Sequence, residues 1–124
     1  MKNIIFVLLF LASGHAFAFD LFGPSNVAEC RQKYAFDTNK VPDAKVAVSF
    51  ACYASFNDDP DYLSNLGATE KVNFINAAKC VISKRDDVYS ADSALSVATK
   101  CSDKYSSKIF PTVMDRAIKQ SQNF

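Results

Sequence analysis

The chain is expected to fold as an all-α domain built on a duplicated, disulfide-stapled helical hairpin. Three observations point there. Apolar residues recur at helical spacing along most of the 124 residues, no useful length alternates at period two, and one cysteine-bounded segment occurs twice. Read back from the closing cysteines, Asp43-Ala-Lys-Val46-Ala-Val48-Ser-Phe-Ala-Cys52 lines up with Asp92-Ser-Ala-Leu95-Ser-Val97-Ala-Thr-Lys-Cys101. The opening cysteines also sit alike, in Val27-Ala-Glu-Cys30 and Ala77-Ala-Lys-Cys80.

Residues 1–18 have the form of a cleaved signal peptide: Lys2 as a basic start, an apolar run from Ile4 to Ala12, and Ala16-Phe-Ala18 as a small-x-small cleavage site. That run is too short to span a bilayer, and no second long apolar stretch follows, so stable membrane insertion is not expected. Cleavage after Ala18 takes the 124 residues to 106, read as a single helical domain over 19–124. It would hold two hairpin repeats, about 24–56 and 69–108, and a C-terminal helix. Each repeat alone is too small to enclose a core, which favours one fused unit.

In chain order, Phe19-Asp-Leu-Phe22 is an apolar lead-in broken at Gly23-Pro24. Asn26, with Glu29 three residues on, resembles a capping box opening a first helix to about Phe36. The polar run Asp37 to Lys40, with Pro42, makes the turn. Asp43 then caps a second helix, about Ala44 to Ser55, apolar on more than one side through Val46, Phe50 and Tyr53 and through Val48, Cys52 and Phe56. Asp59 and Pro60 suit the start of a short helix to Leu66, closed by Gly67. Thr69 caps the longest helix, to about Ser83, with Val72, Ile75 and Ile82 on one stripe and Phe74, Ala77 and Val81 beside it. After a turn at 84–90, the matching helix runs from Asp92 to about Ser106, with Leu95, Ala98 and Tyr105 facing inward. Phe110-Pro111 breaks the chain, because proline lacks an amide hydrogen, and a last amphipathic helix covers Thr112 to about Ser121. The total is five to six helices.

Composition excludes several chemistries. The only histidine, His15, leaves with the leader, and two glycines, Gly23 and Gly67, remain. A Ser-His or Cys-His catalytic pair, an imidazole metal ligand and a glycine-rich phosphate loop are therefore out of reach. Loss of Lys2 leaves 13 basic against 13 acidic residues, so there is no electrostatic reason to propose nucleic acid or an anionic membrane as a partner. Asn57-Asp-Asp-Pro-Asp61 is acidic, but Leu63 falls on a ligand position and Ser64 where an EF-hand needs glycine. The carboxylate pairs Asp86-Asp87, Asp58/Asp61 and Glu29/Glu70 have no recognisable cleft. No catalytic residue, cofactor or metal is expected, and the chain is not read as an enzyme.

Four cysteines in an exported chain point to two disulfides. Zinc ribbons bring ligands in close pairs, whereas 21, 27 and 20 residues separate these cysteines. Three pairings are possible. The midpoints of 30–52 and 80–101 both fall in turn-like sequence, so antiparallel helices would carry Cys30 to the height of Cys52, and Cys80 to that of Cys101. Thirteen aromatic residues, eight Phe and five Tyr, remain after cleavage. Most belong in the core. Phe19, Phe22, Tyr53, Phe56 and Tyr62, near the lead-in and the joint between repeats, are the candidates for an interface or an apolar pocket.

Phe22-Gly-Pro24, Glu29-Cys30 and the Asp43-x-x-Val-x-Val-x-x-Ala-Cys52 segment resemble small exported bacterial four-cysteine helical proteins of uncharacterised function. The resemblance implies a bacterial, periplasmic or secreted protein and brings no catalytic residues with it. A weaker likeness, to four-cysteine insect odorant-binding proteins, shares the helices but not the cysteine intervals. The expected function is binding: a non-enzymatic envelope protein with a protein partner, of inhibitor, immunity or stress-protective type. The alternative is a carrier of a small apolar ligand held between the hairpins.

A disulfide closing a loop of about 20 residues contributes roughly 3 kcal/mol in the chain-entropy model. Reduction is therefore expected to lower the melting temperature more than any single core substitution does, and Cys52→Ala to lower it likewise. An unchanged thermal melt after thiol titration has verified full reduction would remove this account.

Overall fold

The computed structural model describes residues 23–36, 40–56 and 65–122. The signal-peptide reading, the lead-in at Phe19–Phe22, most of the proposed short helix after Asp59, and Tyr62 lie outside those residues. Within them the structure is helical throughout, with no strand.

Helix α1 (Val27–Cys30) starts where Asn26 Oδ1 accepts the Glu29 amide at 2.9 Å. Only half of the expected capping box forms, since the Glu29 carboxylate reaches one residue further out. It accepts the Ser25 amide at 2.9 Å and the Ser25 hydroxyl at 3.0 Å. Those two hydrogen bonds favour the ionised form and hold the Glu29 carboxyl below its ordinary 4.5. The helix does not continue in α geometry to Phe36. Arg31–Ala35 forms a π-turn, closed by the Phe36 amide on the Arg31 carbonyl at 3.0 Å. An α-helix would set Ala35 about 140° round from Cys30. The wider turn brings both onto the buried side, where each is fully enclosed.

Helix α2 (Pro42–Phe56) begins two residues before the expected Ala44. Proline supplies the first helical position, where no amide hydrogen is needed, and Asp43 sits in the first turn rather than at the cap. Similarly, α3 (Ala68–Ser83) is capped by Gly67, not Thr69, because the Lys71 amide already closes on the Gly67 carbonyl at 3.0 Å. A 3-10 turn at Arg85–Asp87 leads to α4 (Ala91–Tyr105), whose cap is a reciprocal Ser90/Ser93 box. Ser106 ends α4 in the left-handed region at φ 58°, and buried Ser102 and Ser107 hydrogen-bond one another across that end. The last helix, α5 (Phe110–Gln122), contains Phe110-Pro111 in its first turn. The proline read as a breaker is a helix start.

Disulfides join Cys30 to Cys52 and Cys80 to Cys101, with Cα separations of 5.5 and 5.7 Å. Each bond ties the two arms of one hairpin. Helix α2 packs against α1, α3 and α5, and α4 packs against α3 and α5. Close approach is possible because nine of the buried apolar residues are alanines, four of them (Ala44, Ala47, Ala51, Ala54) on α2. At the centre Phe50 of α2, Phe74 of α3 and Phe110 of α5 meet. Their centroids lie 6.4, 5.9 and 5.1 Å apart, two of the three contacts edge-on. Along α3 the buried stripe is Phe74, Ala77, Ala78, Val81 and Ile82, whereas Val72 is 55 % exposed.

One polar contact ties the two hairpin turns together. The Lys40 ammonium donates to the carbonyls of Arg85 at 2.7 Å and Val88 at 2.9 Å. Arg85 in turn lays its guanidinium over the Tyr34 ring, 4.1 Å from the centroid. Phe110→Ala is expected to cost about 3–5 kcal/mol by opening the aromatic centre, and Lys40→Met about 1–2 kcal/mol through the lost charged donor. Urea titrations measure both, and the reverse order of effects would contradict this ranking.

Candidate functional site

The groove that stands out lies on the outer side of α2, between the α1 π-turn and α5, with a volume of about 400 Å³. Lys45, Ser49 and Tyr53 follow one another at four-residue spacing, which sets them in a row about 12 Å long on one face of α2. Val46, Phe50 and, from α5, Ala117 form its apolar floor. Arg31 and Phe36 form the opposite wall. Both are placed by the π-turn, which opens at Arg31 and closes on the Phe36 amide. Phe36 is 60 % exposed, so the groove is open along that side.

Two cations meet this apolar lining, and no carboxylate belongs to it among the described residues. The ion pair among the described residues is elsewhere, between Lys119 and Asp115 at 3.0 Å. Asp43, two residues before Lys45, instead accepts a hydrogen bond from the Gln122 amide at 3.1 Å. Arg31 is half-buried, and its Nε is enclosed without a hydrogen-bond partner.

The duplication shows how unusual these positions are. Counting from the paired cysteines, Arg31 aligns with Val81, Lys45 with Ala94, Ser49 with Ala98 and Tyr53 with Ser102. Val81, Ala94 and Ala98 are fully enclosed, and Ser102 is 6 % exposed. The second hairpin therefore covers a face that the first leaves open. Where the second has small or aliphatic side chains suited to helix contact, the first has two cations and a tyrosine.

Of the five aromatic candidates, Tyr53 lines the groove. Phe56 is half-buried and packs against the core instead. Phe19, Phe22 and Tyr62 lie outside the described residues. Composition and periodicity do not single out Arg31, Phe36 or Lys45; the alignment of the repeats points to Arg31 and Lys45, each opposite a core residue, but not to Phe36, which aligns with exposed Asp86. The carboxylates Glu29, Glu70, Asp86 and Asp87 are all exposed. Among the described residues no three His, Cys, Asp or Glu side chains gather where a metal could sit, and no helix is long and apolar enough to cross a membrane.

No protein-family model, curated protein or solved structure matches the chain. The likeness to exported bacterial four-cysteine proteins rests on its sequence motifs alone.

An enclosed donor without a partner lowers stability by about 1–3 kcal/mol relative to a satisfied one. Arg31→Met, which keeps the length of the side chain and restores the apolar character found at Val81, is expected to leave the unfolding free energy unchanged or raise it by about 1 kcal/mol. A fall of more than about 1 kcal/mol would show that Arg31 serves the fold rather than the groove.

Proposed function

We propose that this chain is an exported, non-enzymatic binding protein of the bacterial envelope that engages a protein partner through the α1–α2–α5 groove. The leader-like N-terminus and four paired cysteines support export to an oxidising compartment. Its class would be that of an inhibitor, immunity or stress-protective factor. The observation that carries the reading is the open groove itself. Aromatic and aliphatic side chains, with an arginine at their edge, line a surface the fold leaves uncovered while its counterpart is buried. Aromatic residues and arginine are the types over-represented at protein interfaces. Two disulfides make the surrounding helices a rigid frame, which lowers the entropic cost of association.

A carrier for a small apolar ligand between the hairpins has weaker support, because the Phe50, Phe74 and Phe110 rings fill the space where α2, α3 and α5 meet. The groove on the outer side is open rather than enclosing.

Site-specific photo-crosslinking in the producing cell tests the proposal. With p-benzoylphenylalanine in place of Ser49, on the groove row, one recurrent protein adduct is expected. The same probe in place of Ser96, on the exposed side of α4, is expected to give none. Equal labelling from both positions, or none from either, would end the groove reading.

A further inference from the structure

Resting on that reading, we infer that the partner segment is acidic as well as apolar: it inserts an aromatic or large aliphatic side chain over Val46, Phe50 and Ala117 and sets a carboxylate against Arg31 and Lys45.

Three features of the groove converge on this chemistry. The first is the chemistry of Arg31, a half-buried residue of the groove lining whose planar guanidinium carries paired donors that match a carboxylate in geometry. The second is the charge balance. Among the described residues the lining holds two cations and no acid, and the carboxylate on α2, Asp43, is turned to Gln122 at the start of the helix. The whole molecule is close to neutral, with 14 basic and 13 acidic residues, so the positive character of the groove is local, not a share of a general excess. A local field of this sign selects an anionic partner and raises its on-rate.

The third is the divergence between the repeats. Two positions that are core in the second hairpin, Val81 and Ala94, are the arginine and lysine of the first. A half-buried cation costs desolvation free energy unless an opposite charge meets it. Both substitutions fall in the same groove, and neither cation has a counter-charge within the described chain. A carboxylate on the incoming segment offsets that cost at both positions together. The apolar floor between them requires that the same segment carry a hydrophobic side chain near its acid. An uncharged apolar segment would bury Arg31 and Lys45 unpaired, and an acidic one without an apolar anchor would leave the floor wet.

The test pans a random heptapeptide phage library against the intact, oxidised protein. Enriched peptides are expected to place Asp or Glu within two or three positions of Phe, Leu, Tyr or Trp. Synthesised, they are expected to bind Arg31→Gln and Lys45→Gln about tenfold more weakly than wild type, the loss of one charge-assisted contact. They are expected to bind Tyr89→Ala, on another face, unchanged. Matching thermal melts establish that the variants are folded, and Lys45→Gln, at a partly exposed helical position, carries the test alone if Arg31→Gln unfolds. Enrichment of neutral apolar peptides that block crosslinking from position 49 would overturn the acidic inference while leaving the groove as the interaction surface. Acidic peptides insensitive to both substitutions, or no enrichment at all, would overturn the inference outright.

Discussion

A helical segment of nine residues, Val27 to Ala35, has no business being stable by itself: nucleation of a helix is costly, and isolated helices under about 12–15 residues are marginal in water. What holds it is the bond from Cys30 to Cys52, which anchors the segment to the C-terminal third of α2. With Cys30 fixed there, widening the following turn encloses Ala35 as well. The π geometry at Arg31–Ala35 supplies that widening. It also determines where Arg31 and Phe36 emerge, and with them one wall of the groove. The site thus descends from a covalent constraint through a backbone irregularity to a pair of side chains.

The second organising fact is that α2 and α4, though written alike, do not bury alike. Ala47, Ala51 and Ala54 are fully enclosed in α2, while their counterparts Ser96, Lys100 and Asp103 are exposed in α4. Conversely Ala94 and Ala98 are enclosed while Lys45 and Ser49 are half-buried. The cysteines occupy equivalent positions, so each hairpin closes at the same height, but the helices carrying them are covered from different sides. α2 takes α1, α3 and α5 around it and α4 takes α3 and α5, with a smaller contact between α2 and α4 themselves. A symmetric duplication folded asymmetrically leaves one face without a neighbour, and in this molecule that face is polar at its edge and apolar at its floor.

Much of the helical plan was legible. The existence of all five described helices follows from apolar spacing, and their ends from residue chemistry, with errors of one or two positions. Asp43 and Thr69 were read as caps, but α2 and α3 begin earlier, at Pro42 and Ala68, where the preceding backbone already closes a turn. In α4 the Ser90/Ser93 capping box starts the helix at Ala91, one residue before the expected Asp92. On α3 the core takes Phe74, Ala77 and Val81 of one stripe and Ile82 of the other while Val72 stays exposed, because both stripes have the same period and only the position of the neighbouring helices separates them.

By itself, then, the sequence determined the all-helical class, the two hairpin units with their turns, and a supply of aromatic residues for the core. These follow from local rules, in which spacing and residue type act over a few positions. Only the tertiary structure decided which face of each repeat is covered, that Phe50, Phe74 and Phe110 meet while Tyr53 stays at the surface, and that Arg31 and Lys45 share one groove. Burial is a property of helices packed against one another, and two similar sequences in different surroundings expose different sides.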